Sequence, residues 1–186
     1  MLVEIAALRD GGDPVWVFAY GSLLWDPELR GAATEPALLQ GYHRSFCLLS
    51  YDYRGTAANP GLTLGLDRGG SSRGAALRLP IEALDRIWHR EMSGRPVYAA
   101  RLLRVQTATG ARRALAFTAL RSCPDYAGRL SLDEAARMIL NAAGRRGTCR
   151  DYFENTLRHL EQLGFADRPL RRLAERVEAL AVHDRI

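Results

Sequence analysis

Lysine is absent from this chain, and all 26 basic residues are arginine. A net charge of +5 is enough to raise nucleic acid or an anionic membrane surface as a partner. The arginines are nevertheless spread along the chain, and the pairs Arg112-Arg113, Arg145-Arg146 and Arg171-Arg172 are short. That spread reads as the codon usage of a GC-rich genome and argues against both partners. Cysteine is scarce, and Cys47, Cys123 and Cys149 show neither metal-ligand nor redox-motif spacing. Cys47, in an apolar strand, reads as core packing. An odd thiol count without a signal peptide suits a reducing cytoplasm. His43, His89, His159 and His183 form no His-x-x-x-His or Glu-x-x-His arrangement, so no metal site is expected. No apolar run is long enough to cross a membrane.

What is present suits one domain over residues 1–186, with residues 1–13 a lead-in and residues 166–186 carrying a last helix. Gly11-Gly12-Asp13-Pro14 reads as a turn. Alternation and apolar runs predict strands near residues 15–20, 44–51, 62–67, 73–79, 97–107 and 112–120. Asp67-Arg68-Gly69-Gly70 and Thr109-Gly110 carry hairpin signals. After Cys123-Pro124-Asp125 the pattern turns helical. Ser131-Leu132-Asp133-Glu134 is a capping box opening a helix that stops near Gly144. Thr148-Cys149-Arg150-Asp151 opens another that ends at Gly164, and a third runs from Pro169 to Ala181. Strands first, with helices inserted and appended, predict an α+β fold.

Two segments carry chemistry. The run from Val15 to Ala19 reads as a buried strand that breaks at Tyr20-Gly21-Ser22. A glycine there lets the backbone turn sharply or approach a ligand, and N–H groups at such a turn hold a carboxylate or an oxyanion. The second segment is a helix opened by Pro80 and closed by Gly94. Ile81, Leu84, Ile87, Trp88 and Met92 form its apolar stripe, and Glu91 lies inside that stripe. Burial and the negative end of the helix dipole both raise the pKa of such a carboxylate, which suits it to proton transfer near neutral pH. The structural alternative is an ion pair with one of the arginines.

Together these segments resemble the ChaC-type, glutathione-specific gamma-glutamylcyclotransferases. Phe18-Ala19-Tyr20-Gly21-Ser22-Leu23-Leu24-Trp25 is similar to that family's substrate-binding segment. Tyr51 to Thr56 with Asn59-Pro60-Gly61-Leu62, Trp88 to Met92 with Val97-Tyr98, and Gly144 to Gly164 follow in the family's order. The family has glycine where this chain has Ala19, a change that alanine tolerates wherever φ is negative.

The resemblance implies a small mixed β-barrel with helices packed around it, the gamma-glutamylcyclotransferase-like fold. Tyr20 to Leu23 and Glu91 would then meet at one mouth of the barrel. It also implies a reaction: the α-amino group of a γ-glutamyl substrate attacks its own γ-carbonyl, forming 5-oxoproline and releasing an amine, which for glutathione is Cys-Gly. The nucleophile belongs to the substrate, so no cofactor or metal is required. Glu91 would act as general base and acid, and Val17, Phe18, Ala19, Tyr20, Gly21, Ser22 and Leu23 would bind substrate. Arg54, in a Gly-flanked loop, is a candidate partner for a substrate carboxylate, and Tyr152 matches a family tyrosine at the pocket. Loops near Arg54 and between Gly94 and Pro96 are candidates to close over the substrate. The alternatives are a cyclotransferase for another γ-glutamyl amine or metabolite, and a non-enzymatic γ-glutamyl-binding module. The oligomeric state is open between monomer and dimer.

Overall fold

The computed structural model describes residues 14–183. The expected lead-in over residues 1–13, with most of its Gly-Gly-Asp-Pro turn, lies outside the described residues, as do residues 184–186. Strand β1 (Val15–Ala19) is followed by two 3-10 turns, at Ser22–Leu24 and Pro27–Leu29. Two long strands come next, β2 (Ala33–Ser50) and β3 (Gly61–Leu79), then helix α1 (Ile81–Met92) and the hairpin β4 (Tyr98–Thr107) and β5 (Gly110–Ala119). The chain continues with α2 (Leu132–Asn141), the two-residue strands β6 (Ala143–Gly144) and β7 (Gly147–Thr148), α3 (Cys149–Gln162) and α4 (Arg168–His183). The strands close into a barrel in the order β1-β3-β2-β4-β5, so the fold is α+β with a small mixed barrel as expected. No helix among the described residues is long and apolar enough to cross a membrane.

Two expectations need correction. Asp67 to Gly70 is not a hairpin, because β3 is one strand from Gly61 to Leu79. Gly69 and Gly70 both take positive φ, 101° and 67°, which only bends the strand where the pattern suggested reversal. Its contacts with β2 persist on either side: the Thr63 hydroxyl donates to the Leu48 carbonyl, and the Gly69 carbonyl meets His43 Nδ1 at 2.9 Å. The strand expected at residues 44–51 is the second half of β2. The first half was hidden by Pro36, Gly41 and mostly exposed polar residues, yet Ala37, Leu38 and Leu39 pair antiparallel with Thr107, Gln106 and Val105. The Thr109-Gly110 signal is a true hairpin, closed by the pair Thr107–Gly110.

The described residues form two compact units, one of residues 14–44 and 66–120, the other of residues 45–65 and 121–183. In the first, α1 packs Leu84 and Ile87 onto Val15, Val17, Leu115 and Phe117 of the barrel strands, all essentially without exposed surface. In the second, α2 opens with the predicted capping box, Ser131 and Glu134 satisfying each other's backbone N–H groups. Arg176 of α4 grips Asp133 of α2 with two bonds of 2.6 and 2.8 Å. The Thr148 hydroxyl accepts from the Asp151 N–H and caps α3. Phe46, Phe153, Ile139 and Leu160 are buried in this unit.

Candidate active site

Strand β1 delivers its chain to the first 3-10 turn under tight restraint. Val17, Phe18 and Ala19 have no exposed surface, Val17 and Ala19 lying in the core that also packs α1. Among the described residues only glycine takes a positive φ, so Ala19 fits its extended strand without strain. The Tyr20 phenol donates to the Phe117 carbonyl at 2.7 Å, and Arg44 Nε donates to the Tyr20 carbonyl at 2.7 Å. Tyr20 is thus held at both ends. Gly21 lies at φ −144° and begins the turn. The turn's own bonds use the N–H groups of Leu24 and Trp25, so those of Gly21, Ser22 and Leu23 are not spent within it. Leu23 is buried while Ser22 is exposed, and the turn therefore offers backbone and a hydroxyl on its outer side.

Helix α1 ends at Met92, where the Ser93 N–H bonds the His89 carbonyl. Glu91 sits in this last turn with its side chain 15% exposed. The apolar stripe around it is real: Ile87 is buried, and Trp88 and Met92 pack on the cluster that also holds Ala19 and Leu23. The Glu91 helix end and the Tyr20–Leu23 turn are therefore anchored on the same core. The ion pair foreseen as the structural alternative is also present, because Arg90 Nε donates to Glu91 Oε1 at 3.0 Å. Burial still wins, and the Glu91 carboxyl lies above its ordinary range, with Arg90 pulling down and the Asp26 carboxylate pushing up. A carboxylate so raised holds a proton more readily than an exposed glutamate does.

Arg54 and Tyr152 belong to the other unit, and there they meet. The Arg54 guanidinium lies 5.0 Å over the Tyr152 ring. Its Nη1 also donates to the Arg146 and Thr148 carbonyls. Tyr152 packs edge-on against Phe46, with centroids 5.7 Å apart. The loop that carries Arg54 is tied down along its length. Asp52 and Tyr53 accept from the Arg145 and Arg146 N–H groups, and Asn59 donates to the Asn141 carbonyl at 2.6 Å. A Cβ on Gly144 would lie 2.4 Å from the Asp52 carbonyl oxygen, so only glycine permits this approach.

The family described as ChaC-like protein matches residues 15–180. The chain belongs to the ChaC-like family. It is 35% identical over 185 residues to the glutathione-specific gamma-glutamylcyclotransferase of Escherichia coli K12, covering 96% of this chain and 79% of that one. It is 31% identical over 175 residues to gamma-glutamylcyclotransferase 2-3 of Arabidopsis thaliana, covering 88% of each. Among solved structures, a yeast gamma-glutamylcyclotransferase specific to glutathione superposes with a TM-score of 0.80 at 20% identity, covering 90% of this chain and 96% of that one. That likeness shows the fold.

In this ChaC-like chain, three residues near the site escaped sequence reasoning. Arg44 is only 3% exposed, a buried cation aimed at the turn. One arginine among 26 gives no local sign of such a role, because its partner lies 24 residues away. Asp26 and Arg90 meet across the fold, where Arg90 Nη1 bonds Asp26 Oδ2 at 2.5 Å. Both also line a cleft of about 310 Å³ with Glu28, Arg86, His89 and the apolar Leu29, Ala83 and Ile87.

Proposed function

We propose that this chain is a glutathione-specific gamma-glutamylcyclotransferase, which cleaves glutathione to 5-oxoproline and Cys-Gly with Glu91 as general base and acid. The observation that carries the reading is a largely buried glutamate, its side chain 15% exposed and its pKa raised, whose helix end shares a core with the Tyr20–Leu23 turn. Membership of a family whose relatives bear this activity in their names sets the substrate.

The γ-glutamyl chain folds so that its α-nitrogen faces its γ-carbonyl carbon, a geometry the pocket holds in place of chance encounter. Glu91 takes a proton from the ammonium, and the freed amine forms the new C–N bond of the five-membered lactam. The negative charge that gathers on the γ-oxygen is met by the N–H groups of Gly21, Ser22 and Leu23. As the bond to the cysteinyl nitrogen breaks, protonated Glu91 returns its proton to that nitrogen. The ionised Glu91 then takes the second proton that the lactam nitrogen sheds and passes it to the released amine, so Cys-Gly leaves as an ammonium–carboxylate zwitterion and Glu91 ends ionised as it began. Arg54 and Tyr152 are proposed as substrate contacts through a carboxylate and a ring face. The nucleophile is the substrate's own, so the cycle asks for neither metal nor cofactor. Glutathione and three unbridged thiols together suit the cytoplasm, and one chain, as monomer or dimer, supplies every group named here.

Purified protein with glutathione is expected to yield 5-oxoproline and Cys-Gly by mass spectrometry. A folded Glu91→Gln variant is expected to lose about 10²- to 10⁴-fold in rate, the range set by a lost general base. Full activity in that variant removes Glu91 from its role. Inactivity of wild type toward glutathione, with turnover of another γ-glutamyl amine, moves the substrate while keeping the chemistry.

A further inference from the structure

Adjacent helical residues diverge by about 100° around the axis, so Arg90 and Glu91 have no reason to touch by helix geometry alone. They touch because Arg90 is held from its far side. Its Nη1 bonds Asp26 Oδ2 while its Nε bonds Glu91 Oε1. Asp26 is itself fixed: its side chain is 9% exposed, and its Oδ1 accepts the Glu28 N–H at 3.0 Å as the cap of the Pro27–Leu29 turn. A line of bonds thus runs from the backbone of that turn through two side chains to one oxygen of Glu91. The contact engages Oε1 alone.

We infer that Asp26 and Arg90 are positioning residues for Glu91: Asp26 aims the Arg90 guanidinium, which grips Oε1 and leaves Oε2 to move the proton. This rests on the reading of Glu91 as the base. An arginine suits the task because its planar fork bonds two carboxylates in fixed directions, which an ammonium does not. The same line of charges works on Glu91 in opposite senses. Arg90 stabilises its ionised form, and Asp26 opposes ionisation. Burial works against the Arg90 charge, but Glu91 and Asp26 outweigh it and hold the guanidinium firmly protonated. Of the other titratable groups on these elements, Glu28, His89 and Tyr20 have partners of their own or line the cleft. Glu28 pairs with Arg86 at 3.4 Å, His89 lines the cleft beside them, and the Tyr20 phenol is bonded to Phe117. The Tyr98 ring of β4 packs on the shared core.

The test compares wild type, Arg90→Gln, Arg90→Lys, Asp26→Asn and Glu91→Gln. Two readouts are needed: a ¹³C NMR titration of the Glu91 carboxyl, assigned by its loss in Glu91→Gln, and kcat/KM for glutathione against pH. The Asp26→Asn change keeps a capping oxygen and an acceptor for Arg90 while losing the charge, so the fold has no reason to fail. Arg90→Gln is expected to move the Glu91 titration, and the acid limb of kcat/KM, up by about one pH unit or more. Asp26→Asn is expected to move both down. Arg90→Lys is expected to return the limb toward wild type while kcat stays low and KM changes little, because charge is restored without the two-directional grip. Displacements of opposite sign follow from the two charges alone, so the readout that separates positioning from a merely structural pair is the low kcat of Arg90→Lys at an unchanged KM, and a wild-type kcat in that variant overturns the proposal. Unmoved titrations in both variants, or movement in the same direction, overturn the proposal even with Glu91→Gln inactive. An active Glu91→Gln overturns the underlying reading instead, and the relay with it.

Discussion

A single hydroxyl shows how tightly the turn is specified. Tyr20 is 7% exposed, and its phenol donates to the Phe117 carbonyl. Tyr20→Phe keeps the ring and its stacking on Phe18 but removes this buried hydrogen bond, a loss of about 0.5–1.5 kcal/mol. Urea denaturation is expected to show that loss with an unchanged m-value. A variant as stable as wild type would mean that water replaces the phenol. The same residue scale separates what was legible from what was not. Glu91 was legible because a charged residue breaking an apolar stripe is a local anomaly against the helical repeat. Gly21 was legible because glycine after a buried run is a local signal too. Arg44 and Asp26 were not legible, since their meaning comes from partners 24 and 64 residues away along the chain. Nothing in their neighbours distinguishes them from solvated charges.

Elements repeat the lesson. Helices α1, α2 and α3 announced their ends through Pro80, Ser131 and Thr148, and capping chemistry acts within one turn. The long strands did not announce theirs. Strand β3 carries a turn-like Gly-Gly pair in its middle, and whether such a pair reverses or bends a strand depends on the neighbour it follows, here β2. Between helices, the junction of α2 and α4 is carried in part by the Asp133–Arg176 pair. Its bonds to Arg176 hold the Asp133 carboxyl below its ordinary value of 3.8. A depressed carboxylate pKa adds stability above the unfolded-state value, and that addition fades as pH falls through the folded value. Asp133→Asn is therefore expected to lower the melting temperature at pH 7 and to match wild type at the most acid pH where both remain folded. A difference that persists unchanged into acid would point to packing at this position and away from charge.

At the scale of the whole molecule, the order of segments constrains how the protein comes apart. Each of the two compact units is assembled from two stretches of chain, and the stretches alternate along the sequence. Strand β2 passes from one unit's residues to the other's at Arg44–Ser45, and β3 passes back at Gly65–Leu66. No single cut frees either unit, and each crossing falls inside a strand where the backbone is committed to ladder bonds. If one unit melted alone, β2 and β3 would each be ordered in one half and melted in the other, so the ladder between them would end in a frayed edge at the crossing, at a cost to the unit that stayed folded. That cost ties the two transitions together. Thermal unfolding followed by calorimetry, far-ultraviolet dichroism and tryptophan fluorescence is expected to give one coincident transition with equal calorimetric and van't Hoff enthalpies. Two resolved transitions would show that strand continuity is too weak to couple the units. Glu91, Arg90, Asp26 and the Tyr20–Leu23 turn all lie in the unit that holds residues 66–120, so the raised titration of Glu91 would then be expected to survive one transition and be lost with the other.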